Sequence, residues 1–188
     1  MTIKEDLLTV NPFSRPKRIL HKIAGIVIHW VNNPGTTAKQ NRDYFESLKN
    51  QKTDLTSRYA SIHFIIGLDG EIIQCLPINE MAFHVGALKY TQKAIQILGP
   101  YPNNNTIGIE LCHPDSTGKF NEATLESAIK LSAKLIKEHY LNPEKDIWTH
   151  YEITEKICPK YFIDHPETFE QFKLDVNIEI GNSLKEIK

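Results

Sequence analysis

Three metal-capable residues stand at the ends of short apolar runs. His29 closes Ile26-Val27-Ile28, His150 closes Ile147-Trp148-Thr149, and Cys158 comes eight residues later, directly before Pro159. Two imidazoles and one thiolate form a borderline-soft donor set suited to zinc. Three protein ligands leave the fourth tetrahedral position to water, the arrangement of a catalytic site rather than a structural one. Taken singly, each residue also has a plainer meaning. A lone strand histidine is more often a packed core residue, and a lone cysteine a small buried hydrophobe. Ligands far apart in sequence do not declare themselves as a set.

The elements that must position these residues follow from apolar spacing. Ile23 to Val31 is a nearly continuous apolar run and reads as a buried central strand, ended by Asn32-Asn33-Pro34-Gly35. Thr36 to Asn50 reads as a helix capped by Thr36 or Thr37. Ala60 to Gly67 and Glu71 to Leu76 read as a hairpin around Asp69-Gly70. Residues 77–105 are rich in Gly, Pro and Asn and read as loop with one helical turn near Gln92 to Ile97; so long a loop in a compact domain is usually functional. Thr106 to Cys112 is a second buried strand. Asn121 caps a helix to about Tyr140, Asp146 to Thr149 is a short strand, and Pro166 to about Glu179 a last helix. The expected class is α/β, a mixed central sheet flanked by helices. Residues 1–22 read as an N-terminal arm.

The chain has 188 residues, which fits one domain of the usual roughly 100–200 residues. Its 22 basic and 23 acidic residues leave a charge of −1, which argues against a dedicated nucleic-acid binder. No run nears the roughly 20 apolar residues of a membrane span, so no membrane insertion is expected. Met1 to Pro16 is polar with two acids and does not read as a signal peptide, so synthesis in a cytosol is expected. Cys75, Cys112 and Cys158 are too few, and odd in number, for a disulfide framework. Cys75 and Cys112 read as buried strand thiols, and His21, His139 and His165 as surface or packing residues.

Five segments in order make the sequence recognisable: Gly25-Ile26-Val27-Ile28-His29-Trp30; Ser61-Ile62-His63-Phe64-Ile65-Ile66 with Asp69-Gly70; Ala82-Phe83-His84-Val85-Gly86; Ile107-Gly108-Ile109-Glu110-Leu111-Cys112; and Thr149-His150-Tyr151-Glu152 with Lys156-Ile157-Cys158-Pro159. This ordered set resembles the type 2 N-acetylmuramoyl-L-alanine amidases and peptidoglycan recognition proteins, and within them the phage and prophage endolysins of Gram-positive hosts. The resemblance covers roughly residues 20–165. It implies Zn2+ held by His29, His150 and Cys158, with Glu110 as catalytic acid/base and Lys156 beside the last ligand. It also implies groove lining by His84. His63 alternates with Ile62 and Phe64 and is expected on the cleft side, with a structural role favoured over substrate contact. Trp30, Tyr90 and Tyr101 are candidate surfaces for sugar or stem peptide, and His113 has weaker support. Some relatives place a Tyr directly before the hairpin histidine; here Ile62 stands there, which moves the catalytic burden to Glu110.

The implied reaction is hydrolysis of the amide between N-acetylmuramic acid and L-alanine of the stem peptide, leading to cell-wall lysis. Zinc lowers the pKa of bound water to about 7 and polarises a carbonyl. Glu110 could carry the proton from water to the leaving amine, and Lys156 could place charge at the developing oxyanion. Plainer readings are an ion-paired strand glutamate and a solvated lysine. The competing functional reading is a non-catalytic peptidoglycan-binding module, in which the cysteine ligand is often lost; retention of all three ligands argues against it. No His-Glu-x-x-His or paired Cys-x-x-Cys signature points to another zinc hydrolase. The catalytic domain is expected over residues 1–180. Residues 181–188 read as a tail, the start of a linker to a C-terminal wall-binding domain outside this chain. The expected partner is bacterial peptidoglycan, reached after holin-type release.

Overall fold

The computed structural model describes residues 1–185. Six strands form one mixed sheet: β1 Ile3–Glu5, β2 Gly25–Trp30, β3 Phe64–Ile66, β4 Ile72–Gln74, β5 Thr106–Leu111 and β6 Ile147–Thr149. Their spatial order is β1-β4-β3-β5-β2-β6. Only β3 and β4 run antiparallel; the other neighbours are parallel. The helices are α1 Ala38–Ser47, α2 Gln92–Leu98, α3 Glu122–Glu138, α4 His150–Thr154, α5 Lys160–Asp164 and α6 Pro166–Lys185. The expected α/β class with a mixed central sheet is what the chain adopts.

Period-two alternation decides which side chains become structural. Ile26 and Ile28 of β2, Phe64 and Ile66 of β3, and Ile107, Ile109 and Leu111 of β5 face one way. They meet Leu131 and Leu135 of α3, Phe162 of α5, and Phe169, Phe172 and Val176 of α6. Full burial of such a side chain contributes roughly 1.5–3 kcal/mol, so this layer carries much of the fold. On the opposite face, Ile65 and Ile73 pack with Ala38 and Phe45 of α1. Val27 and Trp148 pack there with Ala94 and Leu98 of α2 and Ile153 of α4. His29 and Glu110 belong by register to this second face, and the two residues are direct partners across β2 and β5.

Local chemistry ends the elements where the sequence placed the signals. Thr37 caps α1, with Gln40 completing a reciprocal capping box. Asn121 caps α3 by accepting from the Thr124 N–H. The hairpin turns at Gly70, whose φ of 79° suits glycine. Each hairpin strand holds three paired residues, shorter than the apolar runs around it.

Four features depart from expectation. The N-terminal arm contains β1, a charged edge strand beside β4. His150 opens α4 rather than closing β6, because Thr149 and Glu152 form a second capping box. A short helix, α5, follows Pro159 directly. The segment expected to leave the domain at Gly181 instead continues α6 to Lys185; residues 186–188 lie outside the described residues. No helix among the described residues is long and apolar enough to cross a membrane.

Candidate active site

The site lies where β2, β5 and β6 end on the α1/α2 face. His29 is the fifth residue of β2, Glu110 the fifth of β5, and His150 the first of α4. Cys158 precedes Pro159, and its carbonyl accepts the Tyr151 N–H, which ties the returning chain to α4. This places one ligand atom each of His29, His150 and Cys158 within 4.8 Å of one another. All three are buried. The His29 and His150 rings meet edge to face at 4.9 Å, and His29 Nδ1 is 3.7 Å from Cys158 Sγ.

Burial dominates the electrostatics of this cluster. Burial holds His29 well below the ordinary histidine range, reinforced by His150, His84, Lys156 and His63. Burial, then Lys156, takes His150 down to about 3. Burial pushes the Cys158 thiol up to about 12. His150 Nδ1 is buried without a hydrogen-bond partner, an omission that costs on the order of 1–3 kcal/mol. Two neutral imidazoles, one open nitrogen and a thiol denied its charge fit a borderline-soft divalent cation, which would satisfy every one of them.

Glu110 is half-buried beside this cluster. Burial raises its carboxyl to about 7, against the lowering effect of Lys156 and Arg58. Lys156 is exposed. A cleft of about 440 Å³ opens over these groups, lined among others by Asn32, Tyr44, Arg58, Glu110 and Lys156.

A family model described as N-acetylmuramoyl-L-alanine amidase matches residues 20–161. The chain belongs to that family. Amidase BlyA of Bacillus subtilis (strain 168) is 30% identical over 180 residues, covering 93% of this chain and 46% of BlyA. Amidase CwlL of Bacillus licheniformis is 29% identical, covering 96% of this chain and 48% of CwlL. The chain therefore spans about half the length of these relatives. Among solved structures, the catalytic domain of XlyA superposes with a TM-score of 0.70 at 24% identity, covering 94% of this chain and 99% of that one. The PlyG catalytic domain gives 0.72 at 20% identity, covering 96% of both chains. These likenesses agree with the amidase-family fold.

Within this amidase-family cleft, the expected site residues divide. His29, His150, Cys158, Glu110 and Lys156 converge on it. His63 does not reach its surface. It is fully buried; its Nδ1 accepts the Gly108 N–H and its Nε2 bonds the Glu80 carbonyl, so neither nitrogen is free for substrate. His84 lines the cleft but is buried, with its two ring nitrogens engaged by His29 and Thr106. Trp30 reaches the cleft edge, yet its ring stacks on His113 at 4.7 Å and lies against Gly118. His113 bonds the Val31 and Asp115 carbonyls and is a loop clamp rather than a cleft residue. Tyr90 and Tyr101 pack on each other and anchor the long loop. Arg58 escaped the sequence reading: it is an exposed loop cation at the cleft, 5.7 Å from the Tyr44 ring. Nothing in its spacing distinguishes it from a solvated arginine.

Proposed function

We propose that this chain is a catalytic domain that hydrolyses the amide joining N-acetylmuramic acid to L-alanine of the peptidoglycan stem, with Zn2+ as its metal. The observation that carries the reading is the convergence of His29, His150 and Cys158, with His150 Nδ1 unpartnered, directly beside a carboxyl raised to about 7. Zinc held there would supply Lewis acidity, making hydroxide available near neutral pH and polarising the scissile carbonyl.

The chain's own groups do the rest. Glu110 has a carboxyl poised near neutrality, so it can take a proton from water and return it to the leaving amine. Its place across from His29 in the sheet register fixes it beside the ligands. Lys156, on the loop leading to Cys158, brings positive charge to the same cleft, where negative charge develops on the carbonyl oxygen. In this reading glycan and stem peptide would bind in the cleft bordered by Tyr44 and Phe45 of α1 and by Phe83 and His84. In this reading residues 1–185 act as one catalytic unit, and wall affinity is the work of a separate domain. A net charge of −1 provides no long-range attraction to a polyanionic wall, so this chain alone should pull down only weakly on isolated walls.

Product analysis tests the reaction. Digested peptidoglycan should gain free L-alanine amino groups and no new reducing sugars, and a chelator should stop the release. New reducing ends would mean a glycosidase and would overturn the proposal.

A further inference from the structure

The long 77–105 loop ends in a hydrogen-bonded chain that runs into the metal-capable cluster. Thr106 Oγ1 lies 2.8 Å from the Pro102 carbonyl and 3.0 Å from His84 Nε2. A carbonyl only accepts, so the single hydroxyl proton of Thr106 goes to Pro102. The hydroxyl oxygen is then left to accept from His84, which requires a proton on Nε2. Both rings are buried, and among the described residues no carboxylate pairs with either, so a second proton would be an uncompensated buried charge and each ring carries one N–H. With Nε2 protonated, His84 Nδ1 is an acceptor, and it lies 2.9 Å from His29 Nε2. His29 therefore donates from Nε2, and its Nδ1 presents a bare lone pair on the side of Cys158.

We propose that Thr106 and His84 are positioning residues that set the tautomer of His29 and so aim an unprotonated Nδ1 at the metal. Outer partners of this kind fix ring orientation and are typically worth 10–100-fold in metal affinity. The inference rests on the metal reading given above.

The surroundings hold the chain of bonds in place. Asn103 Oδ1 accepts the backbone N–H groups of both His84 and Val85, and Asn103 Nδ2 donates to the Tyr101 hydroxyl. Gly108 lets the imidazole approach β5 closely, since a Cβ there would sit 2.7 Å from His84 Nδ1. His63 in turn fixes the Gly108 N–H. Pro102 and Asn103 of the loop thus both serve this imidazole.

Two measurements test this. Long-range proton–nitrogen NMR of the wild-type protein should find His84 and His29 both protonated at Nε2 and bare at Nδ1. An Nδ1–H tautomer at His84 would overturn the proposal, even if every variant failed to fold. Second, zinc affinity is measured by competition with a chromogenic chelator in wild type, Thr106→Val and Thr106→Ser. Valine should weaken zinc about 10–100-fold, and serine, which restores the hydroxyl, should recover most of the loss. Tight zinc binding unchanged by valine would overturn the role of Thr106 and leave the metal reading standing. Failure of the wild type to bind zinc would overturn the metal reading itself.

Discussion

His63 and His113 are as buried as His29 and His150, yet the two pairs use their ring nitrogens differently. His63 commits both nitrogens to backbone groups of Gly108 and Glu80, and His113 commits both to the carbonyls of Asp115 and Val31. Those rings act as clamps between loops and strands. His29 gives one nitrogen to His84 and turns the other toward Cys158. His150 leaves Nδ1 buried without a partner. Burial alone does not separate a working histidine from a structural one. The open hydrogen-bonding capacity does, because a buried polar atom without a partner is destabilising unless something else binds it.

Substitution should split the two pairs most sharply. His150→Ala or Cys158→Ala should cost zinc more than the roughly 100-fold that outer partners are worth, and amidase activity should fall to background. His113→Gln should lose stability and keep one zinc per chain. Metal analysis after gel filtration checks both arms; zinc loss in His113→Gln would erase the distinction.

Glu110 should behave as a proton carrier and not as a ligand. Glu110→Gln is expected to lower kcat about 10²–10⁴-fold while zinc stoichiometry stays unchanged. Metal loss in that variant would move Glu110 into the ligand set.

Acid should reveal the buried rings together. His29, His63, His84 and His150 are all lowered, His63 to about 4 and His150 to about 3. In the unfolded chain they take up protons near pH 6.5, whereas the folded chain resists until much lower pH. Stability of the metal-free protein should therefore fall as pH drops from about 6.5 to about 4, by up to about 1.4 kcal/mol per pH unit for each such ring. Urea midpoints across that range measure it, and a flat profile would contradict neutral buried histidines.

The smallest effect has the opposite sign. Glu110 is raised to about 7, so the folded chain holds its proton more tightly than the unfolded one, and stability is lost as pH rises from about 4.5 through 7. In metal-free protein, Glu110→Gln should gain on the order of 3 kcal/mol at pH 8 and nothing at pH 4. An equal gain at both pH values would mean that the substitution acts through packing.

How far the sequence could be read depended on whether a signal was local. His29 and Glu110 were legible because each sits in an apolar run whose alternation fixes its face. The caps Thr37 and Asn121 and the turn at Gly70 were legible because their chemistry lies within four residues. Strand β1 was not, because a three-residue edge strand carrying Lys4 and Glu5 shows no apolar period. Helices α4 and α5 were too short for a helical period. Helix α6 outran its expected end because Gly181 lowers helix propensity without breaking the hydrogen bonds. The cleft position of His84 was legible, whereas its bonds to Thr106 and His29, and those of His63 to Gly108 and Glu80, were not, because they form only when loop and sheet meet.

The central claim is that two imidazoles and one thiolate, and none of His63, His84 or His113, hold the metal. Zinc-edge X-ray absorption of the loaded protein tests it most directly. The account predicts one sulfur at about 2.3 Å, two imidazole nitrogens and one further light atom at about 2.0 Å. A shell without sulfur, or with three imidazoles, would contradict it.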